Sequence, residues 1–320
     1  MPVDGVSRPI LAPGVAWELL SDVGLATAEG VVAAQDGMIY LTDLTVGLNP
    51  NPGGTIYRYD PRTREIAKVL EPSGMANGLH VDRHNNLIIC QCAYGGTRSL
   101  AKIDLATGAL SVLADNFEGK HFVGPNDATS DAQGRIYFTD SLFNAHEPPE
   151  MPNAVYRYDP DGKLTRLTTD VLRPNGIEVS PDGTRLYVAC SVSPHLKTNP
   201  HGPAVDKFGI TCGGVAAYDL DADGNISNGR LFWKTEEAMA DGMAHDTEGN
   251  LYIACHDRPN RYLAVVDPSG REIETLPLPK EGFTNQFGFG RGDDAGTLYV
   301  TTTRPWGLYA IQTTRIGHYF

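Results

Sequence analysis

The sequence lacks several features that mark large classes of proteins. No apolar run approaches 18 residues, and no basic stretch followed by an apolar one opens the chain, so we expect neither a membrane span nor a secretory signal. The five cysteines form no CxxC pair, and we interpret them as reduced thiols of a cytoplasmic protein. Nucleophile-elbow, phosphate-loop and dinucleotide-binding motifs are also missing.

Positive charge is scarce in this chain. Its 26 Lys and Arg residues face 39 Asp and Glu residues, which gives a net charge of −13. Nucleic-acid binding needs clustered basic side chains, so we expect no nucleic-acid partner. The acidic balance is compatible with a metal cation or a neutral small molecule.

Six polar pairs recur along the chain, each just ahead of an apolar strand. These lead pairs are Glu29-Gly30, Asn77-Gly78, Asn126-Asp127, Asn175-Gly176, Asp241-Gly242 and Asn285-Gln286. We call the first residue of each pair the lead residue; successive leads are 48, 49, 49, 66 and 44 residues apart. A repeat of this length made of short strands predicts an all-β, six-bladed β-propeller whose lead residues point at one central axis.

Each repeat carries the signals of four strands. After the first strand comes a turn with Gly or Asn, and then a second strand rich in β-branched and aromatic residues. The turns with their second strands are QDGMIYLTD (35–43), RHNNLIICQ (83–91), AQGRIYFTD (132–140), PDGTRLYVAC (181–190), TEGNLYIAC (247–255) and AGTLYVTTT (295–303). A third strand ends in Asp in five repeats, and a weaker fourth strand closes the unit.

The sixth repeat lacks its last strand, because only nine residues follow Leu308–Ile311. At the other end of the chain, WELLSDV (17–23) resembles the fourth-strand segment RLTTDV (166–171). We therefore predict that the N-terminal strand closes the last four-stranded blade, hides both sheet edges and makes residues 1–320 a single β-propeller domain.

Four lead residues have the chemistry of a metal site. Glu29, Asn126, Asn175 and Asp241 offer two carboxylates and two amide carbonyls. Two carboxylates that meet at one axis repel each other unless a cation lies between them. Oxygen-only donors favour one hard divalent cation, Ca²⁺ first, with Mg²⁺, Mn²⁺, Zn²⁺ and Fe²⁺ as alternatives. The other interpretation is that each lead only caps a strand, since Asn-Gly and Asp-Gly are common turn pairs.

The chain resembles the SMP-30/gluconolactonase/luciferin-regenerating enzyme family of six-bladed propellers over essentially its whole length. The segments that carry the resemblance are AEG (28–30), PNDATSDAQGRIYFTD (125–140), RPNGIEVSPDGTRLYVA (173–189) and ADGMAHDTEGNLYIA (240–254). The resemblance implies one divalent cation bound by Glu29, Asn175 and Asp241, with Asn126 completing the site or contacting substrate.

The resemblance also implies a metal-dependent hydrolase that opens lactones, chiefly those of sugar acids. We expect polarisation of the carbonyl by the ion, water attack assisted by Asp241, and a substrate contact from Asn126. A phosphotriesterase or aryl esterase on the same site, or a non-catalytic propeller that binds a ligand, are the alternatives. The sequence leaves open whether the protein is a monomer or a small homo-oligomer.

The expected substrate pocket departs from that of sugar-lactone members. Those members often have Arg two residues before the Asn of the Asn-Asp pair, and here that position is Gly124. We predict that aromatic side chains line a less polar pocket for a smaller lactone or ester. The candidate substrate-binding residues beside Asn126 are Phe122, Phe143, Asn144, His256 and Trp306.

Overall fold

The computed structural model describes residues 9–22, 25–44, 53–93, 95–143, 148–192, 199, 201–203, 205–256, 261–279, 283–303 and 307–320. Within these ranges the chain forms six four-stranded antiparallel sheets and one two-stranded hairpin, with a single 3₁₀ turn and no α-helix. None of the described residues forms a helix that is long and apolar enough to cross a membrane. The predicted all-β, six-bladed propeller is confirmed.

The strands are numbered along the chain, starting from β1 (Glu18–Ser21). Blade 1 contains β2 (Ala28–Ala33), β3 (Ile39–Asp43), β4 (Thr55–Tyr59) and β5 (Ile66–Leu70). Blade 2 contains β6 (Ala76–Val81), β7 (Asn86–Gln91), β8 (Ser99–Asp104) and β9 (Leu110–Ala114), followed by the hairpin of β10 (Asn116–Phe117) and β11 (Lys120–His121). Blade 3 contains β12 (Pro125–Ser130), β13 (Ile136–Asp140), β14 (Ala154–Tyr158) and β15 (Leu164–Thr168).

The remaining blades follow the same order. Blade 4 contains β16 (Pro174–Val179), β17 (Arg185–Ser191), β18 (Gly213–Leu220) and β19 (Ile226–Thr235). Blade 5 contains β20 (Met239–His245), β21 (Leu251–His256), β22 (Arg261–Val266) and β23 (Glu272–Pro277). Blade 6 contains β24 (Phe283–Phe289), the 3₁₀ turn Gly292–Asp294, β25 (Thr297–Thr303) and β26 (Gly307–Gln312).

The N-terminal strand closes blade 6, as predicted. Strand β1 pairs antiparallel with β26, with Glu18 opposite Ala310 and Leu19 opposite Tyr309. The sheet order β1-β26-β25-β24 therefore joins the two ends of the chain in one blade. This arrangement ties the ring shut by backbone hydrogen bonds rather than by side-chain packing alone.

The first strands of the blades surround the central axis. Each packs against the first strand of the next blade, and β24 of blade 6 packs back against β2 of blade 1. The second and third strands bury both faces, because apolar residues of adjacent blades pack between them. The fourth strands lie outermost, and Leu110 and Val112 of β9 are exposed there. Burial on both faces explains the β-branched and aromatic runs of the second strands.

Each first strand has an irregularity at the lead pair. The pairing of first and second strands shifts register between Ala28 and Val31 in blade 1 and between Ala240 and Met243 in blade 5. The same shift falls across the lead pair in the other four blades. The two residues of the lead pair are thus left out of the regular ladder, which is the effect of a β-bulge.

Glycine after the lead residue lets neighbouring blades approach closely. A Cβ atom added to Gly176 would lie 2.2 Å from the carbonyl oxygen of Asp241, the lead of the next blade. A Cβ on Gly30 would lie 2.4 Å from the carbonyl oxygen of Asn77 in the same way. The Gly in the lead pair is therefore required by backbone contact between blades at the level of the lead residues.

Candidate metal centre

Hydroxyl groups of the second strands fix the lead residues of the next blade. Thr42 Oγ1 donates to the Asn77 carbonyl at 2.8 Å, and Thr139 Oγ1 donates to the Asn175 carbonyl at 2.6 Å. Thr301 Oγ1 donates to the Glu29 carbonyl and closes the ring from blade 6 to blade 1. These bonds satisfy carbonyls that the bulges leave out of the ladders, and they set the height of the lead residues along the axis.

Two aspartates at the ends of second strands hold the chain that enters the lead pair. Asp43 accepts hydrogen bonds from the backbone N–H groups of Ala26 at 2.9 Å and Thr27 at 2.6 Å, just before Glu29. Asp140 accepts from Val123 at 2.9 Å and Gly124 at 2.6 Å, just before Asn126. The Thr-Asp pair that ends IYLTD and IYFTD therefore has two roles. Its Thr hydroxyl holds the lead residue of the next blade, and its Asp carboxylate holds the segment before the lead residue of its own blade.

The two lead carboxylates lie near each other, and each has one oxygen held by a side-chain donor. Asn285 Nδ2 donates to Glu29 Oε1 at 2.7 Å, and His256 Nε2 donates to Asp241 Oδ2 at 2.8 Å. Burial, and then the charge of Asp241, raise the pKa of Glu29 well above its ordinary value. A cation near both groups would offset this cost.

The amide of Asn175 is also held by a neighbour, but through its nitrogen. Its Nδ2 donates to Ser191 Oγ at 3.0 Å, and Ser191 Oγ in turn donates to the Ala240 carbonyl, directly before Asp241. The Oδ1 atom of Asn175 is shielded from solvent and has no hydrogen-bond partner among the described residues. An orphaned buried amide oxygen is costly unless a ligand binds it.

These observations fit a divalent cation. Glu29, Asn175 and Asp241 each have one side-chain atom fixed by a neighbour, which leaves one oxygen per residue for an ion. Such outer partners orient metal ligands in known sites. Among the described residues, no three His, Cys, Asp or Glu side chains form a cluster that could hold a metal. The proposed ligands include only two such residues, Glu29 and Asp241, because the third ligand is the amide of Asn175. The donor chemistry is that of a hard, oxygen-binding ion.

Asn126 and Asn77 belong to the same ring and are almost fully buried. In blades 3 and 6 the Gly of the lead pair is replaced by Asp127 and Gln286, whose side chains are hydrogen-bonded to each other. Burial raises the pKa of Asp127 to about 7, and the bond to Gln286 opposes that rise. These two side chains lie on opposite blades, so they close the axis next to the lead residues.

A small cavity of about 50 Å³ lies on the axis. The residues three positions after the leads line it: Val32, His80, Thr129, Glu178, Ala244 and Gly288. The C-terminal residues His318–Phe320 line it as well, and the His318 N–H donates to the His245 carbonyl at the far end of β20. Protein therefore fills the axis on the side away from the lead residues.

His245 does not reach this axis. In a regular strand, His245 would point to the same side as Asp241, four residues earlier. The bulge between Ala240 and Met243 inverts this alternation, and Ala244 lines the cavity instead. The His245 ring is 1% exposed and lies 5.3 Å from the ring of Tyr187, between blades 4 and 5. Burial lowers the pKa of His245 to about 4.

The predicted substrate-binding residues fall in different places. Phe122 is fully buried and packs edge-on against Phe138, in the core between blades 2 and 3, so in this structure its ring presents no surface to solvent. Phe143 is partly exposed, and the guanidinium of Arg173 lies 4.0 Å from its ring centroid. His256 contacts Asp241 rather than standing apart at a pocket rim. Asn144 and Trp306 lie outside the described residues.

Some residues of the site were missed from the sequence. Spacing identified Asn285 as a lead residue, and His256 was a candidate for substrate binding, but neither signal predicted their contacts with Glu29 and Asp241. Ser191, which holds Asn175, has no signal in composition or spacing. The repeated Thr-Asp at the ends of two second strands was a usable signal, because Thr42, Asp43, Thr139 and Asp140 all act on lead segments.

Comparison with known proteins gives a consistent assignment. The family model described as "SMP-30/Gluconolactonase/LRE-like region" matches residues 91–199 and 210–304. The gluconolactonase of Zymomonas mobilis is 30% identical over 246 residues, which cover 68% of this chain and 64% of that protein. The regucalcin of Danio rerio is 30% identical over 210 residues, 65% of this chain and 63% of that protein. The chain thus spans a little less than two thirds of the length of these relatives.

Solved structures share the fold. The gluconolactonase of Xanthomonas campestris superposes with a TM-score of 0.75 at 24% identity, over 95% of this chain and 91% of that one. A calcium-binding protein, regucalcin from Agrobacterium tumefaciens, superposes with a TM-score of 0.70 at 19% identity, over 96% of both chains. These likenesses extend over nearly all of the propeller.

Proposed function

Because this chain belongs to the SMP-30/gluconolactonase/LRE-like family, we propose that it is a divalent-metal-dependent lactonase. The relative named gluconolactonase supports hydrolysis of a lactone. The observation that carries the proposal is the ring of Glu29, Asn175 and Asp241, in which each side chain is held at one atom and offers one oxygen. A single-domain organisation over residues 1–320, a cytoplasmic location and a monomeric or small homo-oligomeric state remain predictions.

Glu29, Asn175 and Asp241 would hold the ion, with Asn126 as a fourth donor or a substrate contact. When bound, the ion supplies Lewis-acid polarisation of the lactone carbonyl and stabilises the charge that develops on its oxygen. Ca²⁺ is the first ion to test, since all donors are oxygens and the Agrobacterium regucalcin is described as a calcium-binding protein. Zn²⁺, Mn²⁺, Mg²⁺ and Fe²⁺ follow.

The protein's own groups perform the proton transfers. Asp241 takes a proton from the water whose oxygen attacks the carbonyl carbon. As the bond between the carbonyl carbon and the ring oxygen breaks, Asp241 returns the proton to that oxygen, and a hydroxy acid is released. Asn126, the buried lead residue of blade 3, two blades away from Asp241, orients the carbonyl or the ring oxygen through its amide.

The close packing around Gly124, two residues before Asn126, favours a substrate that is smaller or less polar than a sugar acid lactone. A Cβ atom at Gly124 would lie 3.1 Å from Ala93 Cβ and 3.2 Å from the Ser141 carbonyl oxygen. An arginine could not extend from this position without displacing its neighbours, so the substrate-hydroxyl donor of sugar-lactone members has no counterpart there. The partly exposed Phe143 supplies apolar surface nearby in blade 3.

A lactone panel tests this proposal. We expect proton release from at least one aliphatic or sugar lactone in the presence of Ca²⁺, with loss of the reaction in excess chelator and recovery on adding the ion back. Asp241→Ala should abolish turnover. Activity restricted to phosphotriesters or aryl esters would replace the lactonase proposal, and ion binding without any turnover would favour a ligand-binding propeller.

A further inference from the structure

The histidine that touches Asp241 is fixed by strand pairing. His256 ends β21 and lies opposite Met239 of β20, and Asp241 stands two residues further along β20. Asp241 is one of the two residues that the bulge between Ala240 and Met243 leaves out of the regular pairing. The ring Nε2 is 2.8 Å from Asp241 Oδ2, and the two side chains are only 14% and 11% exposed. This contact is therefore part of the blade framework and does not depend on a long surface loop.

A carboxylate oxygen accepts hydrogen bonds, so the contact with Asp241 assigns an Nε2–H donor to the His256 ring. That bond occupies Oδ2 and leaves Oδ1 of Asp241 for an ion. Asn285 Nδ2 donates to Glu29 Oε1 in the same way and leaves Oε2. At Asn175 the partner is an acceptor instead: Ser191 Oγ accepts from Nδ2, which leaves the amide oxygen Oδ1. Three candidate ligands on three blades thus share one arrangement, in which an orienting partner selects the oxygen that is offered.

We propose that His256 is a positioning residue, which orients Asp241 toward the divalent ion and the attacking water. The inference rests on the proposed function, because Asp241 is there both ligand and proton acceptor. Without the imidazole, Asp241 Oδ2 would lose its donor and the carboxylate could rotate about its side-chain bonds. Removal of such an outer partner typically weakens ion affinity or activity about 10–100-fold.

A positioning role and a substrate-binding role for His256 predict changes in different measured quantities. If His256 only contacted substrate, its removal would raise KM and leave ion affinity intact. If it positions Asp241, its removal lowers ion affinity in the absence of substrate. It also lowers kcat at saturating ion, with little change in KM.

The test compares His256→Ala and His256→Gln, since the Gln amide nitrogen can replace the Nε2–H donor. Calcium binding is measured by isothermal titration calorimetry without substrate, and kcat and KM are measured separately on the best lactone. We expect about 10–100-fold weaker Ca²⁺ binding in His256→Ala and substantial recovery in His256→Gln. His121→Ala, at an exposed histidine of the β10–β11 hairpin, should behave like wild type.

The outcomes separate this inference from the proposed function. If His256→Ala binds Ca²⁺ as tightly as the wild-type protein, or if only its KM changes, the positioning role is wrong. The proposed lactonase activity is not affected by that result. Weakened binding in His256→Ala together with no lactone turnover by wild type would support positioning and remove the lactonase proposal. A wild-type protein that binds no divalent ion would overturn both. Thermal unfolding of ion-free His256→Gln and His256→Ala checks that both variants are folded.

Discussion

Asn175 Nδ2 donates to Ser191 Oγ at 3.0 Å, while the oxygen of the same amide is buried with no partner among the described residues. The serine also donates to the carbonyl before Asp241. One hydroxyl thus sets both the orientation of an amide and the backbone of the adjacent lead residue. A polar atom held in this way, and left unsatisfied, is suited to ligate an ion rather than to stabilise the fold.

Removal of the Asn175 amide should weaken ion binding without unfolding the propeller. We expect at least about 10-fold weaker Ca²⁺ binding in Asn175→Ala, measured by calorimetry, because one oxygen donor is lost from the set. Asn77→Ala is the control, since Asn77 occupies the same ring in blade 2 and is not among the proposed ligands. Equal losses in both variants would mean that the ring is structural and that Asn175 has no special role.

Alanine in place of Gly176 should destabilise the protein by about 1–3 kcal/mol or more. The added Cβ would meet the Asp241 carbonyl oxygen at 2.2 Å, and rigid backbone must move to relieve the contact. Gly296→Ala is the matched control, because its Cβ would find nothing closer than 3.5 Å and its φ is not positive. Urea unfolding of both variants measures the difference, and similar midpoints would contradict the close approach of blades 4 and 5.

The hydroxyl of Thr139 should contribute to stability as well as to site geometry. It donates to the Asn175 carbonyl at 2.6 Å and accepts from the Asp127 N–H at 3.1 Å. Thr139→Val keeps the shape and leaves both buried groups without this partner, so we expect a loss of about 1–3 kcal/mol. Thr165→Val should change stability by less than about 0.5 kcal/mol, since the Thr165 hydroxyl has no partner among the described residues. A cost as large for Thr165→Val would contradict the assignment.

Glu178 should make stability depend on pH. Burial raises its pKa to about 8, and the hydrogen bond from Thr129 opposes the rise. The folded state keeps this proton up to about pH 8 while the unfolded chain releases it near its ordinary value of 4.5, so the free energy of unfolding falls as pH rises through this window. The slope from one group is at most about 1.4 kcal/mol per pH unit.

The measurement of this dependence is urea unfolding of ion-free protein between about pH 6.5 and pH 8. Burial lowers the pKa of His80 and His245 to about 4, so both rings are neutral in the folded state throughout that window. Burial also raises the pKa of Asp127 and Asp140 to about 7, so these groups contribute to the same slope. Glu178→Gln should therefore make the slope shallower by the share of one group, and Glu65→Gln, at an exposed position of blade 1, should retain the wild-type slope. The same slope in Glu178→Gln and wild type would show that another group carries the dependence.

Much of the fold was predictable because a repeat constrains many residues at once. The spacing of the lead pairs and the unfinished sixth repeat were enough to predict six blades and N-terminal closure, and β1 pairs with β26 as expected. Lead residues of different blades also interact with one another: Asn285 donates to Glu29, and the charge of Asp241 acts on Glu29. The agreement has a physical reason, since the Gly after four of the six lead residues stands where a Cβ atom would collide with the neighbouring blade.

The rest depended on details that spacing does not carry. A bulge at each lead pair inverts strand alternation, so Ala244 rather than His245 lines the axis. Phe122 lies close to Asn126 in the sequence and is aromatic, as a pocket residue could be, but its ring packs in the core against Phe138. The contact of His256 with Asp241 follows from strand register in blade 5, which the sequence pattern does not specify to the residue.

The most direct test of the central claim is a calorimetric titration of Ca²⁺ into ion-free wild-type protein and into Asp241→Asn, which preserves the shape of the side chain. We expect one ion per wild-type chain and binding weakened by about 100-fold or more in the variant, because one of two carboxylates at the axis is lost. Binding of equal strength by both proteins, or no binding by wild type, would contradict it.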